Sequence, residues 1–301
     1  MAAYFAQAPW LFYVMVFAFS LLVGSFLNVV IYRLPKMMEM AWDEQLAELA
    51  AEKSGESLET KSEQKETFNL SKPRSACPHC GHQIRWYENI PVISWLFLRG
   101  KCSNCQARIS IRYPLVELST ALLSLLVALR FGIGYETLVG VGLTWTLVAL
   151  SGIDIDTQLL PDNITLPLVW AGLVVSLFPQ PDATTLFVDP RTAIIGAIAG
   201  YLSLWSVFQL FKIVTGKEGM GYGDFKLLAA LGAFLGWQKL PLIVMLSAVV
   251  GAVYGVAMIA LSKQKQGQPM PFGPWLAAAG FIAMLYGDDL INAYLSFSGL
   301  N

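Results

Sequence analysis

Charged residues are scarce in this chain. Asp, Glu, Lys and Arg make up 14% of its 301 residues, whereas soluble domains carry about 25%. Hydrophobic residues, by contrast, make up 55%. This balance excludes an ordinary soluble globule and predicts a protein embedded in a membrane.

Basic residues are absent from the first stretch of the chain. Residues 1–9 contain neither Lys nor Arg, and a secretory signal peptide needs a positively charged segment there. A cleaved signal is therefore not expected. The apolar run that follows is expected to remain as the first membrane helix.

Long apolar runs are plentiful, and a helix needs about 20 such residues to cross a bilayer. The sixth candidate below is too short, so it is expected to tilt or to continue into neighbouring residues. The pattern predicts an all-α polytopic membrane protein with about eight transmembrane helices. The eight candidates are 10–32, 115–131, 136–153, 164–178, 192–211, 225–235, 240–261 and 275–295.

The distribution of Lys and Arg predicts the orientation, because cytoplasmic loops carry an excess of both. If the loops alternate across the membrane, 17 of the 20 basic residues fall in 33–114, 212–226 and 262–270. The opposite side keeps Arg130, Arg191 and Lys239. The crowded side is therefore expected to be cytoplasmic, which places both termini in the periplasm.

The long loop after the first span divides by composition. Residues 37–69 are rich in Glu, Lys, Ala and Ser, which predicts a short charged helix and then a flexible stretch. Residues 70–113 hold all four cysteines. We therefore expect a first transmembrane helix in 1–36, a variable charged segment in 37–69, a cytoplasmic cysteine domain in 70–113 and a membrane core in 114–301.

The four cysteines form two CxxC pairs, Cys77/Cys80 and Cys102/Cys105, with 21 residues between the pairs. Two such pairs can place four thiolates tetrahedrally around one Zn²⁺. The spacing predicts a structural zinc-knuckle domain inserted after the first helix, with an iron–sulfur cluster or a redox dithiol as alternatives. His79 and His82 are spare ligand candidates, although exposed residues of the knuckle are the simpler interpretation.

Acidic residues at the ends of apolar spans are functional candidates because they are costly in a membrane. Asp154, Asp156 and Asp162 lie between two spans, and Asp224 follows three alternate glycines. Two close carboxyls share a proton and can act as base and acid together. Helix capping is the competing interpretation, particularly for Asp156 and Asp162. These patterns alone leave the first three acids nearly equivalent.

Several motifs in this order resemble the bacterial type IV prepilin peptidases, a GxGD class of aspartyl protease. Residues 221–224 (GYGD) match the GxGD signature within 217–227 (KEGMGYGDFKL). Residues 152–162 contain a D-x-D-x-x-x-L-P-D core. Further similarity lies in 24–35 (GSFLNVVIYRLP), in the block 77–117 and in 271–275 (PFGPW).

The resemblance implies a bifunctional enzyme of the bacterial inner membrane, an aspartic endopeptidase with N-methyltransferase activity that serves type IV pili and type II secretion. It implies that prepilins and pseudopilins are cut after a Gly at the cytoplasmic face. The new N-terminal residue is then methylated with S-adenosylmethionine. It also implies that Asp154 and Asp224 are the catalytic pair, with Asp156 as the nearest rival, and that the four cysteines hold zinc.

Partners implied are the prepilin substrates and the lipid bilayer, with no nucleic acid. Oligomeric state is not predicted.

No glycine-rich Rossmann fingerprint follows a strand pattern, so the sequence locates no methyl-donor site. Residues 86–89 (WYEN) are expected to pack around the knuckles, with contact to substrate or cofactor as the alternative. An ion-coupled transporter using the same acids, and a zinc-stabilised scaffold, are the competing functions.

Overall fold

The computed structural model describes residues 8–54, 68–178, 187–217, 219–261 and 270–299. Most of the flexible stretch expected within 37–69, and part of the loop 262–270, lie outside these ranges. Across the described residues the secondary structure is helical, with two isolated β-bridges and no strand. The all-helical prediction is confirmed.

A helix forms in each of the eight predicted segments. The helices are α1 (Pro9–Ser54), α2 (Ile93–Phe97), α3 (Arg112–Phe131), α4 (Tyr135–Thr157), α5 (Asp162–Ser176), α6 (Pro190–Thr215), α7 (Tyr222–Leu235), α8 (Leu240–Ala260) and α9 (Gly273–Ser298), with 3₁₀ turns at Trp86–Asn89 and Trp237–Lys239.

Five of these segments are long and apolar enough to cross a membrane. They are Pro9–Lys53, Arg112–Phe131, Tyr135–Thr157, Pro190–Thr215 and Trp237–Ala260. Helices α5 and α7 have only 15 and 14 residues. The described residues therefore establish an all-helical protein with five candidate spans, three fewer than the sequence predicted.

Helix α1 does not end near Tyr32, where the first span was expected to stop. It continues through Pro35 to Ser54 for 46 residues. The charged helix predicted after the first span is therefore the continuation of α1, and the proline is accommodated inside it.

The described chain divides into two compact units. One is Trp10–Leu125, and the other contains the described chain from Leu126 onward. The smaller unit holds α1, the cysteine segment and most of α3. The larger unit holds α4 to α9.

Helix α7 is the centre of the larger unit, where it packs against α5, α6 and α9. Its residues from Leu227 to Leu235 are all buried. Glycines bring α6 and α7 together, because a Cβ on Gly196 would overlap the carbonyl oxygen of Gly232. Such small residues allow close backbone packing of membrane helices.

Helix ends in the larger unit gather in two groups. At one end, Lys226 of α7 pairs with Asp162 at the start of α5. At the other, Lys239 pairs with Asp288 at 2.9 Å, and Arg130 pairs with Asp289 at 2.6 Å. The acids of interest lie at the first of these ends.

Candidate active site and metal centre

Asp154 lies in the last turn of α4 and is 4% exposed. Leu147 and Leu150, seven and four residues earlier, are also buried because helical periodicity places them on the same face. One carboxylate oxygen, Oδ2, accepts the backbone N–H of Gly273 at 2.9 Å. Gly273 is the first residue of α9, so the positive end of that helix faces the Asp154 carboxylate.

Asp224 is the third residue of α7 and is 7% exposed. Asp154 and Asp224 are close enough for their charges to interact. The structure thus brings together two acids that are 70 positions apart in the sequence. Two neighbouring carboxyls in a buried setting disfavour each other's ionised form, which is the electrostatic arrangement that an acid–base pair needs.

Leu160 links three of the sequence motifs. A Cβ on Gly223 would lie 2.5 Å from Leu160 Cβ, and one on Gly273 would lie 3.2 Å from Leu160 Cδ1 and 2.7 Å from Asp154 Oδ2. The D-x-D segment, the GxGD segment and the PFGPW segment therefore meet around this leucine. The sequence contained the third motif but gave no reason to connect its glycine with Asp154.

Asp156 and Asp162 are placed differently. Asp156 is exposed, because two residues along a helix correspond to a rotation of about 200° from Asp154. Asp162 is half-exposed, and its carboxylate lies 2.5 Å from Lys226 Nζ.

Neither Asp162 nor Asp224 is the N-cap residue of its helix, although the Asp224 carboxylate still accepts a hydrogen bond from the Gly221 backbone, as an acid in the first turn can. Pro161 occupies the N-cap of α5 and Gly221 that of α7, so both acids lie inside the first turn of their helices. The Asp162 carboxylate pairs with Lys226 Nζ instead.

Two glycines of the GxGD segment are expected to respond differently to substitution. In Gly223→Ala the new Cβ meets Leu160, and a displacement of about 1 Å near reacting groups costs about 10²-fold in rate. In Gly221→Ala the nearest atom is 3.9 Å away, so this matched variant should keep near-normal activity. Initial rates of the leader cleavage that the resemblance implies measure the difference. Equal rates in two folded variants would contradict the close contact with Leu160.

The two cysteine pairs of the smaller unit are built alike. Each is closed by one isolated bridge, Ala76 with Gln83 and Lys101 with Arg108. In each pair the first cysteine donates its backbone N–H to the carbonyl oxygen five residues later, that of His82 or Ala107. Its own carbonyl oxygen accepts the N–H four residues later, that of Gly81 or Gln106. Gly81 and Gln106 take the left-handed conformation at equivalent positions, with φ of 70° and 59°. Glycine adopts this conformation without steric cost, whereas glutamine rarely does.

The four Sγ atoms lie within 4.8 Å of one another, and Cys77 Sγ is 3.8 Å from Cys105 Sγ. A tetrahedral zinc site with bonds near 2.3 Å requires sulfur–sulfur distances of about 3.8 Å. The donor set therefore fits a four-coordinate metal. Neither histidine joins this cluster among the described residues, because His82 Nε2 contacts Glu88 Oε2 at 3.2 Å and His79 is exposed.

The electrostatics of the cluster favour a bound cation. A hydrogen bond from the His82 backbone lowers the pKa of the Cys80 thiol to about 7. The Ala107 backbone lowers the pKa of the Cys105 thiol, but desolvation and hydrogen bonds with the other three thiols raise it to about 12. Four thiolates thus need a compensating positive charge, which a divalent metal supplies.

The expectation that residues 86–89 pack around the knuckles is wrong for Trp86, which is 83% exposed. Glu88 does face the knuckles through His82. Hydrogen bonds, above all with Ser103 and the Arg85 backbone, lower the pKa of the Glu88 carboxyl to about 2.

The model of the bacterial Peptidase A24 N-terminal domain matches residues 18–131, and that of the Type IV leader peptidase family matches residues 141–256. A protein of Aeromonas salmonicida strain A449, named prepilin leader peptidase/N-methyltransferase, is 54% identical over 288 residues, covering 96% of this chain and 95% of the relative. The chain belongs to the type IV leader peptidase family.

Two further relatives carry the same name. The protein of Stutzerimonas stutzeri is 53% identical over 300 residues, covering 99% of this chain and 98% of its own length. That of Pseudomonas aeruginosa is 54% identical over 296 residues, covering 98% of each chain. No solved structure matches significantly.

The two family models divide the candidate sites between them. The four cysteines lie within the N-terminal match, and Asp154 and Asp224 lie within the leader peptidase match. Gly273, which holds Asp154, lies beyond both. The hydrogen bond between Gly273 and Asp154 therefore joins a residue outside both matched regions to one inside the leader peptidase match.

Proposed function

We propose that this protein cleaves the leader peptide of type IV prepilins and pseudopilins and then methylates the new N-terminus. The observation that carries the peptidase proposal is the buried pair Asp154 and Asp224, in a chain about 54% identical to prepilin leader peptidases over 96% of its length. No observation on the described residues favours the transporter alternative, and the comparisons do not support it.

The dyad acts through one shared proton. The ionised carboxylate takes a proton from water, and the protonated carboxyl gives its proton to the carbonyl oxygen of the scissile peptide. The water oxygen bonds to the carbonyl carbon, and the carbon–nitrogen bond then breaks as the leaving nitrogen takes up a proton. The family resemblance supports a cut after Gly.

The proposed setting is the bacterial inner membrane, with eight membrane helices and both termini in the periplasm. Five apolar helices and the uneven distribution of basic residues support it. The acids and the cysteine domain then share the cytoplasmic side, where the basic leader of a prepilin remains. We retain the division into 1–36, 37–69, 70–113 and 114–301 as part of this proposal.

Cys77, Cys80, Cys102 and Cys105 would hold Zn²⁺ in a structural role. A site with four thiolate ligands has no open position for water, so the ion would order the two turns and take no part in peptide hydrolysis. S-adenosylmethionine, when bound, supplies the methyl group.

Purified full-length protein incubated with a prepilin tests the function. We expect a leader fragment and a shortened pilin, and in the presence of S-adenosylmethionine a pilin heavier by one methyl group. A preparation that carries metal and unfolds cooperatively, yet leaves the prepilin intact, would overturn the proposal. Cleavage without any methylation would overturn its second half.

A further inference from the structure

Large apolar side chains of the smaller unit share one exposed face around α2. Phe97 and Trp86 are 85% and 83% exposed. Ile93, Leu96 and Phe97 lie on one side of α2, because residues three and four apart share a helix face. The turn that contains Trp86 packs against this helix. We call the set the apolar face, and it consists of Trp86, Ile90, Ile93, Leu96 and Phe97, all of them exposed.

The other side of α2 is bonded to the chain around the start of α3. The Trp95 indole N–H donates to the carbonyl oxygen of Ile109 at 3.2 Å, just before α3 begins. The Val92 N–H donates to Glu117 Oε2 at 2.7 Å, and Glu117 lies in the second turn of α3. One bond thus reaches the chain just outside α3 and the other just inside it. Helix α2 therefore lies beside the first turns of α3.

The start of α3 marks the edge of the hydrocarbon core. Helix α3 is a candidate span of 20 residues, about 30 Å long, and the core of a bilayer is about 30 Å thick. Helix α1 gives the same level. The side-chain amide of Asn28 donates to the Tyr113 carbonyl oxygen at 3.1 Å, and Asn28 lies about 28 Å along α1 from Pro9. Both helices leave the core at this level, so α2 lies at the boundary between acyl chains and head groups.

The charged residues around the apolar face suit the polar side of that boundary. Arg85 and Arg99 flank the face and are exposed. Glu88 is the one acid in the sequence of residues 84–99, and it is turned toward the knuckles, where it contacts His82. The exposed charge beside the face is therefore positive, which complements the anionic lipids of a cytoplasmic leaflet.

We propose that the apolar face is an anchor in the lipid surface. Its side chains enter the boundary between acyl chains and head groups of the cytoplasmic leaflet, and Arg85 and Arg99 lie among the head groups. The anchor holds the two cysteine turns against the bilayer. It also accounts for the exposure of Trp86, since tryptophan is enriched at membrane surfaces. The proposal goes beyond the peptidase activity and does not depend on it.

Photocrosslinking in proteoliposomes tests which molecule covers the apolar face. Phe97→p-benzoylphenylalanine replaces one exposed aromatic ring by another, so the fold should be retained. The full-length variant is reconstituted in vesicles of phosphatidylethanolamine and phosphatidylglycerol, irradiated, digested and analysed by mass spectrometry. We expect phospholipid attached at position 97, at about tenfold or more the level found for Glu48→p-benzoylphenylalanine. Glu48 is the matched control, because it is exposed on α1 about 30 Å beyond Asn28.

Three other products of the crosslinking would overturn the anchor. They are the absence of a lipid adduct at position 97, a crosslink to a second copy of the chain, and a lipid adduct that a crosslink to pilin replaces when prepilin is added. The last two would assign the apolar face to a protein partner.

The fluorescence of Trp86 gives an independent measurement. The difference in emission between the wild type and Trp86→Phe isolates this residue among nine tryptophans. We expect lipids brominated in their acyl chains to reduce this difference by about half or more, and iodide in the surrounding water to reduce it little. Quenching by iodide but not by brominated lipid would place Trp86 in water and overturn the anchor. Neither measurement requires cleavage, so the anchor can fail while the proposed function stands.

Discussion

Asp154→Asn and Asp224→Asn are each expected to reduce leader cleavage by about 10²–10⁴-fold or more, the range for loss of a general acid or base. Asparagine keeps the size of the side chain but can neither take up nor release the shared proton. Both variants should fold, because the amide oxygen at position 154 can still accept the Gly273 N–H. Initial rates of leader release from a purified prepilin measure the effect.

Asp156→Asn is the matched control for this prediction. It makes the same chemical change two residues away, on an exposed side chain. We expect it to retain most of the cleavage rate, and Asp162→Asn to lose at most a modest part through its contact with Lys226. If Asp156→Asn were the inactive variant and Asp154→Asn the active one, the choice of the first acid would be wrong.

Removing one cysteine pair is expected to have the largest effect on stability. A Cys77→Ser/Cys80→Ser variant loses two of four thiolate ligands, and structural zinc contributes about 10–16 kcal/mol in small zinc-binding peptides. We expect bound zinc to fall from about one ion per chain to none, and thermal unfolding to begin at a lower temperature. Metal analysis and a thermal melt of the purified protein measure these two quantities.

His79→Ala is the control for the metal prediction, because His79 lies between the two cysteines but is exposed and outside the cluster. It should keep its zinc. Full metal content in the double cysteine variant would show that the ion, if present, is bound elsewhere. Iron in place of zinc in the wild type would favour the iron–sulfur alternative.

Local patterns predicted much of this molecule. Apolar runs identified a helix in each of eight segments, because burial in lipid or between helices requires many successive apolar residues. The CxxC spacing identified the four cysteines that cluster, since each pair needs only one tight turn to bring its thiols together. These features depend on residues that are close in sequence.

Features that depend on distant residues were not predictable in the same way. The periodicity of α4 separates Asp154 from Asp156, but only when the buried face of that helix is known. The contact of Gly273 with Asp154 joins residues 119 positions apart. The continuation of α1 through Pro35 likewise needed the packed structure.

The central claim is that the carboxyls of Asp154 and Asp224 act as one unit. The most direct test is the cleavage rate of the double variant Asp154→Asn/Asp224→Asn beside those of the two single variants. Groups that act as a unit give strongly non-additive losses, so we predict that all three variants share about the same residual rate. Losses that multiply in the double variant, or a single variant that cleaves at the wild-type rate, would contradict the claim.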